Sequence, residues 1–142
     1  MSPSMSKEER EQFLTDLHVG VLSVNAGEGR APITTSVWYS YQPGGPVTLT
    51  TSRHSRKAVA IAAQGRFSLC VQDERPPFRY VTVEGPAVIE NVDRAERLTI
   101  AQRYLGVEGG RAFVTEEPGI DDVAIRLTPE RWLTADYGKT TG

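Results

Sequence analysis

The sequence of 142 residues predicts a mainly β (α+β) domain, a small six-stranded antiparallel barrel, closed or split, with flanking helices packed outside. Six runs rich in β-branched and aromatic residues recur along it. Tight turn signals join several of these runs, as antiparallel pairing requires. Helical patterns are few, and no internal repeat, low-complexity block or linker divides the chain, so residues 1–142 read as one domain with flexible tails at 1–5 and 138–142.

Ser6 with Glu9 three residues later matches a capping box, and Phe13, Leu14 and Leu17 mark one apolar face, so a short helix is expected over about 6–17. The β-like run HVGVLSVNA follows and ends at the turn signal Gly27-Glu28-Gly29. APITTSVWYSYQ is the second strand, closed by PGGP, and VTLTTS is the third. SRKAVAIAAQG then switches to small residues and good helix formers, with Gly65 as the stop. RFSLCVQ alternates cleanly as the fourth strand. After Arg75-Pro76-Pro77, RYVTVEGPAVIE reads as a long strand bent or bulged near Gly85-Pro86. Asp93 caps a helix expected to run to about Leu105 and to stop at Gly106. VEGGRAFVTEEPG is either a second helical piece or an irregular excursion. DDVAIRLTPERWLTAD is the sixth strand, with a break at Pro129 as an option, and YGKTTG is a disordered or lightly docked tail.

The totals exclude several function classes. A net charge of −2 argues against a broad nucleic-acid face, so any basic site is local. Two histidines, His18 and His54, far apart in sequence, are too few for a zinc or non-haem iron site. The lone Cys70 rules out an internal disulfide and suits a reducing cytoplasm. Neither a membrane span nor a targeting peptide is read, and the chain is expected to be cytoplasmic.

One stretch stands out. TTSRHSRKAVA crowds cations at the start of a helix, although Arg56 and Lys57 in a first turn are unfavourable by about 0.3–1 kcal/mol each unless an anion compensates. Hydroxyls of Thr50, Thr51, Ser52 and Ser55 surround the same point, and an Arg fork beside a Lys point charge suits a phosphate. Composition alone leaves two readings open, a solvated basic turn and an anion site. The stretch has no glycines and is not a Walker loop.

This layout, above all TTSRHSRKAVAIAAQGRFSLCVQ followed by FRYVTVEGPAVI, resembles the pyridoxamine 5′-phosphate oxidase-like family over about residues 6–135. The resemblance implies the FMN-binding split-barrel fold, a homodimer, and a flavin or deazaflavin cofactor. The VWYSY run and the short length resemble the branch of oxidoreductases that use coenzyme F420. Family phosphate contacts fall on Thr51, Ser52, Arg56 and Lys57. The ring is expected against Ser36, Val37 and Trp38, and Phe78, Arg79 and Tyr80 resemble the segment with which a partner subunit closes the cleft. The C-terminal RWLTADYGKTTG lacks the Arg/His element of pyridoxamine phosphate oxidases proper, so vitamin B6 chemistry is not implied.

The expected function is hydride transfer between reduced F420 and a small conjugated or unsaturated molecule, with no catalytic side chain assigned beyond water or Tyr80 as proton source. FMN is the alternative cofactor, and a non-catalytic flavin or haem binder is the alternative class. Trp38, Tyr39 and Tyr41 either stack on a ring or pack in the barrel. Cys70 reads as inert packing, Glu116-Glu117 and Asp121-Asp122 as solvated acids, and His18 as a cation at a helix C-terminus. His54 reads equally as an aid to the phosphate or as a surface turn residue, and Arg111 and Arg126 carry no spacing that assigns them.

Overall fold

The computed structural model describes residues 2–140. The capping box forms: the Ser6 hydroxyl accepts the Glu9 N–H (3.2 Å), and the Glu9 carboxylate accepts the Ser6 N–H (2.8 Å). It opens α1, Lys7–Thr15, whose Phe13 and Leu14 are buried. His18 lies beyond the helix, stacked on Phe13 at 4.4 Å. Burial lowers its pKa from 6.5, and the helix ends at Thr15 with Asp16 as its C-cap, so His18 is not in the last turn where the sequence reading set it.

Eight strands follow among the described residues, where the sequence suggests six. They are β1 (Gly20–Val24), β2 (Ile33–Val37), β3 (Ser40–Tyr41), β4 (Val47–Ser52), β5 (Arg66–Asp73), β6 (Arg79–Asn91), β7 (Asp122–Leu127) and β8 (Arg131–Asp136). The two extra strands come from breaks inside expected runs. Residues 31–42 divide at Trp38-Tyr39, leaving β3 only two residues long, and 121–136 divide around Pro129. Two more α-helices and a 3-10 turn, Tyr137–Lys139, complete the set among the described residues. α2, Arg56–Gln64, is capped by Ser55 and stopped by Gly65 in the left-handed region. α3, Arg94–Glu116, is interrupted at Gly106 (φ 80°, ψ 175°), so the undecided stretch after it is a second helical piece. Among the described residues no helix is long and apolar enough to cross a membrane.

All pairings are antiparallel, in the order β2-β1-β5-β6-β7-β4-β3, with β8 added to β6. The sheet closes on itself through the chain. The first half of β6 pairs with β5 and β8, and its second half, from Ala87, pairs with β7. Similarly, β2 pairs with β1 while β3, two residues on, pairs with β4. The fold is therefore a split barrel whose two sheets share strands at two corners. Inward residues such as Leu22, Leu49, Leu69, Val81, Val83 and Ile125 are fully buried between them.

The β6 corner rests on Gly85. A Cβ there would stand 1.9 Å from the Thr128 carbonyl oxygen. The Thr128 N–H donates to Pro86 O and the Glu130 N–H to Glu84 O, both at 2.9 Å. At the other corner the Tyr39 N–H leaves the ladder and donates to the Tyr104 hydroxyl (3.2 Å), which donates to His18 O (2.6 Å). Tyr39 itself is buried and donates to Leu14 O (2.6 Å), fastening α1 to the corner. Burial pushes its phenol pKa well above 10. Within the expected tails, the Asp136 N–H donates to Pro3 O (2.7 Å), and Lys139 donates to Ser4 O and to Glu9. Residues 141 and 142 lie outside the described residues.

Replacing Gly85 with Ala forces backbone apart and is expected to lower stability by about 1–3 kcal/mol. Urea unfolding monitored by tryptophan fluorescence checks this, and an unchanged midpoint would show that the corner is not close-packed. The Glu9 carboxyl is held at about 2, first by Lys139 and then by the Ser6 N–H. Its stabilising contribution is present above 4.5 and lost as pH falls through about 2. In Lys139→Met, NMR titration should find the Glu9 pKa moved back toward 4.5.

Candidate functional site

β3 and β4 stay paired only as far as Ser40 and Thr48. β4 then continues along β7 while the neighbouring chain turns away at Trp38-Tyr39 to join β1. The V between them is a cleft of roughly 550 Å³, covered by α3 and the loop that follows it. Ser36, Val37 and Trp38 line one wall, Thr50 and Lys57 another. Ile100, Ala101 and Phe113 of α3 close it with Glu117, Gly119 and Asp122.

One end of the cleft is cationic and rich in donors, with Thr50 and Lys57 on its wall beside the start of α2. The Ser55 hydroxyl caps α2 by accepting the Ala58 N–H (3.2 Å), and Thr51 donates to Ser55 (3.1 Å). The Val59 N–H returns to Ser55 O (3.0 Å), so the N–H groups of Arg56 and Lys57 remain the open donors of the first turn. No acid lies in that turn, and among the described residues neither Arg56 nor Lys57 forms an ion pair. Two cations, two open N–H groups and several hydroxyls thus meet at the positive end of a helix dipole.

The other end is aromatic and apolar. Trp38 stacks on Tyr104 (5.1 Å, 9°) and tilts against Phe113 (5.6 Å, 52°). Its indole is therefore braced by α3 where it lines the cleft. Tyr39 and Tyr41 are both buried and pack in the barrel, with the Tyr41 hydroxyl donating to Glu11 (3.3 Å).

The structure brings Ser36, Val37, Trp38, Thr50 and Lys57 together on the cleft wall. Thr51, Ser52, Ser55 and Arg56 flank it on β4 and at the start of α2. Phe78, Arg79 and Tyr80 are elsewhere in the single chain. Arg79 pairs with Asp73 (3.0 Å) and lies over the Phe13 ring, and Phe78 is exposed with a positive φ of 57°. The Asp73 carboxyl is held well below its usual range by Arg75 and Arg79.

The sequence reading placed the helix at Asp93 but assigned no part of α3 to the site. Arg97, Ile100 and Ala101 share a helical face by their spacing, and that periodicity was the available signal. Asp122 corrects its reading as a solvated acid, since it pairs with the buried Arg97 at 3.0 Å. Arg126 is bound by Glu96 (2.6 Å) and Glu90 (3.0 Å), which raise its pKa and occupy its fork. His54 stands 4.0 Å from Asp121 at the surface.

Comparison with known proteins agrees with this architecture. Rv2991, a conserved hypothetical protein from Mycobacterium tuberculosis, is 25% identical with a TM-score of 0.81, over 98% of this chain and 89% of that one. An F420 reductase is 23% identical with a TM-score of 0.70, over 87% of this chain and 94% of that one. A haem-binding protein from Mycobacterium smegmatis is 20% identical with a TM-score of 0.62, over 97% of this chain and 60% of that one. No curated protein matches the sequence significantly. The family model described as pyridoxamine 5′-phosphate oxidase matches residues 6–136, from the capping box of α1 to the last residue of β8. A match of that extent carries both corners of the barrel and every wall of the cleft, and the chain belongs to the pyridoxamine 5′-phosphate oxidase family.

Proposed function

We propose that this chain is an oxidoreductase that transfers hydride between reduced coenzyme F420 and a small conjugated or unsaturated organic molecule. The observation that carries the reading is the pair of unmatched cations at the start of α2, opening onto a cleft whose far end is aromatic. A ligand with an anionic tail and a planar ring fits both ends. The cofactor supplies the hydride when bound, and the chain binds and orients it. Arg56 and Lys57, with the Thr50, Thr51, Ser52 and Ser55 hydroxyls, hold the phosphate. Ser36 to Trp38 set the edge against which the ring lies. FMN carries a phosphate on a similar chain and is the alternative cofactor, favoured by the family match. A haem reading gains no support from the histidines, because neither lines the cleft.

The working unit in this reading is a homodimer. Ser36, Val21, Cys70, Thr82 and Leu133 lie directly opposite one another across β2, β1, β5, β6 and β8. They form a row on the outer face of the sheet, where Leu133 is 63% and Val21 39% exposed. Tyr80 lies on the same face, and Ser36 belongs to both the row and the cleft wall. A second copy seated there covers exposed apolar surface beside the open cleft, which supports the role assigned to Phe78, Arg79 and Tyr80 of a partner.

Titrations with F420 and with FMN, followed by cofactor fluorescence, test the reading. Arg56→Ala with Lys57→Ala should weaken phosphate-bearing cofactor by about a hundredfold or more, given ~1.5–3 kcal/mol for each charged hydrogen bond. The same pair should leave the free protein slightly more stable, by about 0.3–1 kcal/mol per cation removed from the helix N-terminus. Unchanged affinity removes the phosphate assignment. Binding without any acceleration of cofactor oxidation, over a panel of conjugated acceptors, makes the protein a carrier. For the dimer, light scattering should give twice the chain mass at micromolar concentration. Leu133→Glu should give monomer and expose Cys70 to thiol labelling. A monomeric wild-type protein would overturn that part.

A further inference from the structure

Four charged side chains line the cleft, Lys57, Arg97, Glu117 and Asp122. Lys57 belongs to the anion end, and Arg97 and Asp122, with the backbone of Glu117, belong to a clamp that no part of the phosphate reading uses. Arg97 is only 7% exposed. Its Nε donates to Asp122 Oδ2 (3.0 Å), Nη1 to Pro118 O (2.9 Å) and Nη2 to Glu117 O (2.6 Å). Gly119 has a φ of +62°, and a Cβ there would stand 2.6 Å from Arg97 Cζ. The loop 117–122 therefore sits directly on the guanidinium, with no side chain between.

The far end of this loop backs the basic turn. The Arg53 N–H donates to Asp121 O (2.8 Å), and Asp122 lies opposite Ser52 in the β4–β7 ladder. The geometry points to Arg97 as a positioning residue for the anion end of the cleft, acting through Asp122 and the loop without touching the phosphate. It does two things. It neutralises a carboxylate that shares the cleft with Lys57 and, left alone, would repel an anion there. It also fixes residues 121–122, and so the Ser52-Arg53 step from which the turn into α2 departs. The inference rests on the phosphate reading and adds to it a residue from a different element.

The test compares phosphate-bearing ligands with their phosphate-free cores: FMN against riboflavin, which differ only in the phosphate, and F420 against its ribityl deazaflavin core, which lacks the phosphate and the tail beyond it. Wild-type protein should bind the phosphate-bearing member of at least one pair more tightly. In Arg97→Met that preference should fall by about tenfold or more, with the phosphate-free ligand changed by less than about threefold, because the exposed Asp122 charge acts on the anion alone. Adding Asp122→Asn to Arg97→Met should restore most of the preference. Arg97→Lys keeps the charge without the fork and should fall between. If Arg97→Met does not fold, the Arg97→Lys variant decides. An unchanged preference in either folded variant overturns the inference, and so does an equal loss for both ligands, the sign of a purely structural role. A wild-type protein that prefers neither phosphate-bearing ligand, or binds none of the four, overturns the phosphate reading itself and this inference with it.

Discussion

β6 belongs to two sheets at once, and the join leaves no space for a side chain. Where Gly85 passes the Thr128 carbonyl, the 13-residue strand stops pairing with β5 and β8 and starts pairing with β7. Three backbone hydrogen bonds tie the join: Thr128 donates to Pro86 O, Glu130 to Glu84 O, and Ala87 to Gly65 O. Pro86 has no N–H to offer, so the interruption of the ladder falls where a donor is absent already. Because β7 and β8 meet β6 on either side of this point, it sets the register of both sheets together. A residue slip here would turn inward apolar side chains outward in each.

The second corner is made differently, and the difference creates the cleft. At Trp38-Tyr39 the chain crosses from the β1 ladder to the β4 ladder. The N–H that leaves the ladder is satisfied by the Tyr104 hydroxyl, which otherwise would leave a buried donor costing about 1–3 kcal/mol. One corner thus draws the sheets together and the other lets them part. α3 fills the opening, and the same Tyr104 that completes the backbone braces Trp38 by stacking. The aromatic end of the site is a consequence of how the barrel turns its corner.

The strands, the caps of all three helices and the bend at Gly85-Pro86 were legible in the sequence because each is written in local chemistry: alternation, Ser and Asp caps, glycine and proline. The breaks at Trp38-Tyr39 and Pro129 were harder, since a strand that changes partners keeps its β-like residues on both sides of the change. The start of α2 was legible as a cation cluster, but its cleft was not. α3 lies in sequence after β6, and nothing local brings Ile100 or Phe113 over β2 and β4. Asp122 and Arg126 looked solvated or unassigned because their partners, Arg97 and Glu96, are supplied by that same helix.

The three helices provide an internal comparison for the charge at the site. Each begins with a cation, Lys7 in α1, Arg56 in α2 and Arg94 in α3. In α1 the next two residues are Glu8 and Glu9, and in α3 Asp93 is the cap and Glu96 lies in the first turn. Those carboxylates match the positive end of the helix dipole and offset the cation beside it. The cap of α2, Ser55, is neutral like Ser6 of α1, but α2 alone has no acid in its first turn, and it adds a second cation at Lys57. The chain does not lack carboxylates, with 18 acidic residues against 16 basic ones. Being free of an ion pair is ordinary for an exposed arginine. Being free of one at a helix N-terminus, with the cleft open beside it, leaves a positive potential that the fold itself does not discharge. In the function proposed above, an anionic ligand takes the place of the missing carboxylate, and the phosphate of a flavin-type cofactor has the charge and the acceptors to do so.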